Sequence, residues 1–583
     1  MRKPYLLFVC LGMLLSACSG RELGTNSAGE GPEGSSFLSV RIVSAGASGT
    51  RAYDKDGGSY KDGTVGESYV HNVLLLLFNA AGDPVNIVVG GDGGSKSWFL
   101  LDNVDDDNAG SDTGNGETVE KILEDVQHLR VPAGLDDDMQ PTRILAIVNP
   151  PQTEPYLNKP LSQLKDFVED YRTGLTGRGN GEKDFVMTNA VYADGSQVVD
   201  ATPLKPGDFY ETADEAAENP VIIYVERVLA RLDLTIDITG TEIGDGSYIY
   251  HTGEQLPQEK GIYVRFLGWN VFSSPDRSRL LKHIDPAWQD DDVFANGLKW
   301  NSAPLHRSFW AINPPENRFN YLRGAFHEKE AGGDTEFRQW YADNLKIPAC
   351  GEYSTVYLQE NAAPFENAAA SPTDPTEVIL AAQLVDEKGE ALRLARWAGK
   401  TYTWEDMRAE LCMVLDLYYF AGYGADGKDN PPLVYKRISP EDLDYEKVPG
   451  SSGATVVLSD AGKQKTWRCG TQNSSEELVD TDAVNKYIEA KLGTANLKVW
   501  ENGYTYFHFA IRHLGEENAR ARYGIVRNHL YEAHVTSVAG LGTPVYDPDE
   551  IIIPSDDPET GVVSAEIRIL SWRMVRQDYE LSW

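Results

Sequence analysis

A mainly β fold with a few short helices, spread over more than one domain, follows from three observations. At 583 residues the chain is longer than one hydrophobic core ordinarily serves. Its 54 Gly and 30 Pro, beside 41% hydrophobic and 10% aromatic content, suit a packed and turn-rich protein rather than a disordered one. Short runs in which apolar and polar residues alternate, separated by turn residues, supply the period of two expected of strands. The formal net charge of −36 opposes binding of nucleic acid or an anionic membrane surface through bulk electrostatics, since both require a positive face.

The first element is a leader. In "MRKPYLLFVCLGMLLSACSG", Arg2 and Lys3 precede a short apolar run from Tyr5 to Leu15, and small residues then lead to Cys18. The run is too short to span a bilayer, and the segment resembles a bacterial lipoprotein signal peptide ending in its lipobox. On that reading residues 1–18 are the leader and Cys18 is the lipidated residue, held to the outer membrane by several acyl chains where one would be marginal. An ordinary secretory leader with an incidental cysteine is the other reading. No other stretch is long and apolar enough to cross a bilayer as a helix.

Residues 19–51 follow as a propeptide. A spacer rich in Gly, Ser and Glu precedes "FLSVRIV", where Leu38, Val40 and Ile42 alternate with Ser39 and Arg41 as in a strand. The chain then loosens into "SAGASGTRAYDKDGG", which exposes Arg51 and Ala52 among small residues, a setting that proteases enter; an ordinary loop arginine is the alternative. Arg41, inside the strand, is expected to be protected.

From residue 68 the pattern is β. "SYVHNVLLLLFNAAGDPVNIVV" reads as two strands about a turn at Ala81 to Pro84, with further strands at "HLRVPAG" and "RILAIVNPP". "LSQLKDFVEDYR" has helical spacing at Leu161, Leu164, Phe167 and Val168. The acidic stretch "ETADEAAENP" places a boundary near residue 220, giving domains over 52–220 and 221–583. "VIIYVERVLARLDLTIDI" then reads as one long strand, followed by strands at "GIYVRFLGWNVF", "STVYLQEN", "TEVILAAQLV", "TYFHFAIRHL" and "LYEAHVTSVAG". Two helices stand out: "TWEDMRAELCMVL", capped by Thr403, and "TDAVNKYIEAKLG", opening at Thr481 and closing at Gly493.

Catalytic and metal motifs fail on spacing. "HEKEA" has Ala331 where a zincin helix requires its second histidine. No G-x-S-x-G elbow, Walker loop or G-x-G-x-x-G helix opening is present. The acidic run "DNVDDDNAGSDTGNGE" lacks EF-hand spacing, and His508, His513, His529 and His534 lack matching ligands, so the expectation is no catalytic residue, no metal and no cofactor. Carboxylates are numerous, but none is singled out as a glycosidase pair. Cys350, Cys412 and Cys469 permit one internal disulfide at most, and their pairing stays open.

The chain ends on "RMVRQDYELSW", where strand periodicity puts Val575, Tyr579, Leu581 and Trp583 on one face. Each would contribute roughly 1.5 to 3 kcal/mol on burial. Two readings are open: a strand that closes its own domain, and one that pairs with another molecule.

These features resemble the Bacteroidales fimbrillins, nearest the shaft subunits of the short, minor fimbriae of Porphyromonas. The resemblance covers essentially the whole chain and rests on the lipobox at Cys18, the Arg51 and Ala52 junction, "YVERVLARLDL", "VYLQENAA", "YGIVRNHLYEAHVTSVAGLGTPV" and "ILSWRMVRQDYEL". Residues 385–495 match least and read as an insert. The resemblance implies two β-sandwich, transthyretin-like domains and a structural, non-enzymatic role in a surface adhesive fimbria. It implies removal of the strand bearing Leu38, Val40 and Ile42 by an arginine-specific protease, and a head-to-tail homopolymer in which the tail of one copy is the donor strand of the next. Its implied partners are other copies, tip and anchor subunits, the protease, and host or bacterial surface receptors. An accessory tip or anchor subunit, a monomeric surface lipoprotein that binds glycan or protein, and a glycan-degrading enzyme are the rival readings.

Overall fold

The computed structural model describes residues 35–44, 67, 70–88, 95–102, 123–132, 139–172, 175, 184–194, 197–257, 260–275, 277–284, 346–361, 375–424, 432–471, 474–493, 497–512, 523–546, 562–571 and 574–575. Its architecture is mainly β with few helices. The largest sheet has eight strands, seven of which follow the order Trp98–Asp102, Asn72–Phe78, Arg143–Val148, Met187–Asn189, Val221–Arg227, Ser35–Ser44 and Leu123–Pro132. Asn72–Phe78 and Arg143–Val148 are near-continuous apolar runs, buried on both faces, and both lie inside the sheet. A run that is apolar at every position has no face to offer water, so the interior of a sheet is its stable place.

The helical spacing beginning at Leu161 extends only over Leu161–Lys165, whose Leu161 and Leu164 are buried. The chain leaves the helix at Asp166, and Val168–Glu169 pairs instead with Ser278–Arg279, a partner far away in sequence. "VIIYVERVLARLDLTIDI" is two strands, not one. Val221–Arg227 belongs to the eight-stranded sheet, whereas Ala230–Ile236 pairs with Ser354–Leu358 and, in parallel, with His529–Ala539. The passage between sheets therefore lies at Val228 and Leu229, beyond the boundary expected near residue 220. Both halves alternate with the same period, so nothing local marks where the backbone changes partner.

A second core is built from a five-stranded sheet stacked on a six-stranded one. The first runs Ser354–Leu358, Ala230–Ile236, His529–Ala539, Val562–Ser571, Met574–Val575, and the second is centred on Lys260–Phe272, Glu377–Val385 and Tyr504–Ala510. Leu232 and Leu234 of the one sheet meet Val264, Leu380 and Phe507 of the other in a single apolar cluster. Gly503 enters this packing at φ +73, and a Cβ there would stand 2.3 Å from the Leu384 carbonyl oxygen.

The insert has a core of its own, in which Trp404, Met407, Leu411, Trp467, Val484 and Ile488 pack together. Thr403 caps the helix Trp404–Val414, its side-chain oxygen accepting from the Asp406 amide. The helix Thr481–Leu492 is capped one residue earlier than its sequence suggests, by Asp480, whose carboxylate accepts from the Ala483 amide at 2.7 Å; Thr481 is already helical. An aspartate at this position also opposes the positive end of the helix dipole. Cys350 is exposed, Cys412 buried and Cys469 intermediate, and all three are free thiols.

Gly503→Ala is expected to lower the thermal midpoint by several degrees, because the added methyl collides with backbone at a left-handed position; an unchanged melt would contradict this packing. Burial pushes the Cys412 thiol up to about 11. Iodoacetamide at pH 8 should therefore label Cys350 in the folded chain and reach Cys412 only in denaturant, as peptide mass mapping would read directly.

Candidate functional site at the buried N-terminal strand

The strand Ser35–Ser44 is the second strand in from the edge of the eight-stranded sheet. On one side it runs parallel to Val221–Arg227, with Val40 opposite Val221, Ile42 opposite Ile223 and Ser44 opposite Val225. On the other it runs antiparallel to Leu123–Pro132, with Leu38 opposite Leu129, and the register shifts between Val40 and Ile42. Among the described residues, the two flanking strands are joined to each other only through this one. Leu38, Val40 and Ile42 are all buried in the first core, and Ser39 is buried on the opposite face. The short helix Ala213–Glu218, capped by Thr212, packs over the strand with Ala216 inaccessible to solvent. Burial of the three aliphatic side chains corresponds to about 5 to 9 kcal/mol. Arg41 lies in the ladder opposite Ile222, half-buried, as its place inside the strand predicts.

The strand beside it is anchored at its far end by charge. Glu226 Oε2 accepts from Lys282 Nζ at 2.8 Å, with both side chains fully buried. Arg527, also fully buried, reaches Glu360 at 2.5 Å and donates to the carbonyl oxygens of Leu280 and Arg279. Two anions and two cations thus share one dry volume. Burial raises the Glu226 carboxyl pKa, against the pull of Lys282 and Arg527. Burial lowers the Lys282 ammonium pKa, against the pull of Glu226 and Glu360. A second cluster lies close by in sequence: Arg231 donates to Glu67 at 2.9 Å and to Asp233 at 2.8 Å, and the Tyr357 hydroxyl donates to Glu67. Burial first, then the Glu67 charge, raises the Tyr357 hydroxyl pKa far above its ordinary value. None of these charged residues was singled out from sequence. The available signal was Glu226 and Arg227 standing together at the end of an otherwise apolar strand.

The remaining expected site residues fall elsewhere. Cys18, Arg51, Ala52, Tyr579, Leu581 and Trp583 lie outside the described residues, as do His513, "HEKEA" and most of the acidic run. Val575 does not stand apart as a donor: Met574–Val575 is the edge of the five-stranded sheet, with Val575 opposite Ile569 of its own chain. A hairpin with Val562–Ser571 satisfies its ladder locally, which a period-two pattern cannot foretell. His508 contacts Glu377, His529 the Arg527 carbonyl and His534 Asp237, so the described histidines are spread along strands rather than gathered.

Fold and site together define a class of protein: a mainly β chain in which the strand Ser35–Ser44 is an inner member of a sheet with Leu38, Val40 and Ile42 buried. Residues 498–578 match the family model described as "Major fimbrial subunit protein type IV, Fimbrillin, C-terminal", and that match supports the resemblance of the chain to fimbrillins. No curated protein matches it. Among solved structures it is similar to a fimbrilin of Porphyromonas gingivalis at 10% identity, over 93% of this chain and 98% of that one, with a TM-score of 0.37. It is also similar to the tip fimbrial protein of that organism with C-terminal truncation, at 10% identity over 92% and 100% of the two chains, with a TM-score of 0.28. The fimbrial anchor protein of the same organism is similar at 10% identity, over 93% and 99%, with a TM-score of 0.22.

Lys282→Met should lower stability by about 3 to 5 kcal/mol, since it leaves Glu226 buried beside a hydrocarbon chain. Glu226→Gln combined with Lys282→Met should recover most of that loss. Urea midpoints of the two variants provide the comparison, and a double variant as unstable as the single one would show that the two charges are not coupled.

Proposed function

We propose that the chain is a subunit of a cell-surface fimbria, a shaft-type building block that polymerises by exchange of strands between copies. The observation that carries the proposal is the place of Ser35–Ser44: an inner strand, buried on both faces, that nevertheless precedes the linker bearing Arg51. In this reading Cys18 is lipidated for export to the outer membrane, and an arginine-specific protease cuts between Arg51 and Ala52. The strand bearing Leu38, Val40 and Ile42 then leaves. Its departure strips the ladder partners from Val221–Val225 and from Leu123–Pro132 at once, and opens a slot floored by apolar residues such as Ile223 and Val225. Unpaired backbone groups over an apolar floor accept an added strand, with the ladder giving affinity and alternate side chains giving register.

The entering strand is the C-terminal segment of another copy, with Tyr579, Leu581 and Trp583 as its apolar face. Val575 must first give up its pairing with Ile569, so donation begins by release of a short edge strand. Among the described residues, Met574 and Val575 hold that edge. A donor that leaves one copy and enters the next makes a heterologous contact, and such contacts propagate into open fibres rather than closed rings. The two cores about the Val228 and Leu229 passage act as the domains of the building block, and its role is structural rather than enzymatic, with no cofactor.

The test is to treat the purified full chain with an arginine-specific protease, sequence the new N-terminus and image the product by electron microscopy. A start at Ala52 together with filaments is the expected result. Filaments from an Arg51→Ala chain, or a cut chain that remains monomeric at high concentration, would overturn the reading. Deletion of Asp578 to Trp583 should leave the melting temperature of the uncut chain nearly unchanged and abolish filaments. A sharp fall in melting temperature would instead mean that the tail closes its own sheet.

A further inference from the structure

The insert carries a four-stranded sheet in the order Leu433–Arg437, Leu417–Tyr423, Trp467–Thr471, Ser474–Leu478. One face packs Leu417, Tyr419 and Trp467 on the insert core. The other looks outward, where the Phe420 ring meets those of Tyr423 and Tyr435, and the Arg468 guanidinium lies 5.5 Å from the Tyr435 ring. Both edge strands are open among the described residues, and they differ in sign. The first edge ends in Lys436 and Arg437, both exposed; the second bears Glu476 and Glu477, both exposed. Each edge also shows apolar side chains to water: Leu433 is 55% and Val434 38% exposed on the basic edge, and Val479, just past the acidic strand, is 85% exposed.

We infer that these two edges are complementary docking surfaces through which the insert of one copy joins the insert of a second copy of this chain. All three pairings across the sheet are antiparallel, so the basic and acidic edge strands run in opposite directions. A second copy displaced sideways in the same orientation therefore presents its acidic strand antiparallel to the basic strand of the first. Face parity then restricts the register. Arg437, Tyr418, Arg468 and Glu477 stand opposite one another in turn and share the outward face, so Lys436 and Glu476 share the inward one. Placing Lys436 opposite Glu476 of the next copy sets Val434 opposite Leu478 and Leu433 opposite Val479, and brings Arg437 diagonally to Glu477. Apolar residues thus meet at two positions and a cation meets an anion at a third, with Tyr435 opposite Glu477 between them. A slip of two residues puts Lys436 opposite either Leu478 or Ser474 and loses the match, and a slip of one turns every side chain to the wrong face.

The alternatives are disfavoured by the same charges. Two basic edges or two acidic edges would set like charges opposite each other. The guard that keeps each edge from pairing with itself is thus the complement of the other edge. The net charge of −36 opposes approach of two copies at long range, but that repulsion is screened beyond about 8 Å at physiological salt, whereas the edge pairs act at contact. A contact of about five residues on each side is small and weak alone, and gains strength where many copies are held side by side. This lateral contact requires neither the cut at Arg51 nor the C-terminal tail.

The test uses the uncut full chain, so that strand exchange plays no part, with Cys10, Cys18 and Cys350 replaced by Ser. Leu433→Cys combined with Val479→Cys is expected to give a ladder of disulfide-linked multimers under mild oxidation, while either cysteine alone gives at most dimers. Lys436→Glu with Arg437→Glu should reduce the ladder at least tenfold, and adding Glu476→Lys with Glu477→Lys in the same chain should restore it. Reversal of the acidic edge alone serves the same purpose should the basic-edge variant fail to fold. A paired-cysteine chain that yields no more than its single-cysteine parents, or a ladder indifferent to charge reversal, would overturn the proposal, whatever the outcome of the cleavage experiment.

Discussion

The double ladder of Ser35–Ser44 is the constraint on which the first half of the molecule depends. This strand is parallel to Val221–Arg227 on one side and antiparallel to Leu123–Pro132 on the other, and among the described residues it is the sole connection between them in the sheet. Leu38, Val40 and Ile42 drop into the core formed by the strands around them. A segment so placed behaves as a structural member of the sheet, although it precedes a linker of small residues. The combination of high burial and a peripheral place in sequence is what makes removal and replacement of the strand physically coherent.

The neighbouring strand shows how such a site can keep its shape. Val221–Val225 depends on the N-terminal strand for half of its ladder, but the next residue, Glu226, is tied to Lys282 deep in the protein, and Arg227 donates to the Glu67 carbonyl. Met187–Asn189 holds the same strand from its other side. Buried pairs of this kind contribute little net stability compared with apolar packing, yet they are intolerant of rearrangement, because any shift leaves a charge unpaired in a dry volume. They favour one geometry of the strand.

The insert contributes a different kind of surface. Its core of Trp404, Met407, Leu411 and Trp467 is an apolar cluster of its own, and among the described residues its sheet ends on two open edges. A module with open edges is well placed to make contacts between molecules without disturbing the packing on which the strand site relies.

Much of this was legible in the amino-acid order. Alternation marked the strands at Leu38 to Ile42, Lys260–Phe272 and Glu377–Val385, and Thr403 and Gly493 marked helix ends, because side-chain period and capping chemistry are local properties. The resemblance to fimbrillins was legible as well, in short motifs whose order could be read along the chain, one of which, residues 523–545, lies within the segment that the family model matches. What could not be read was partnership. The change of sheet at Val228, the return of Val575 onto Ile569, and the meeting of Glu226, Lys282, Glu360 and Arg527 all join residues far apart or hinge on which backbone lies alongside. A strand carries its own period in its sequence but not the identity of its neighbour, which is set only when the whole chain has folded around it.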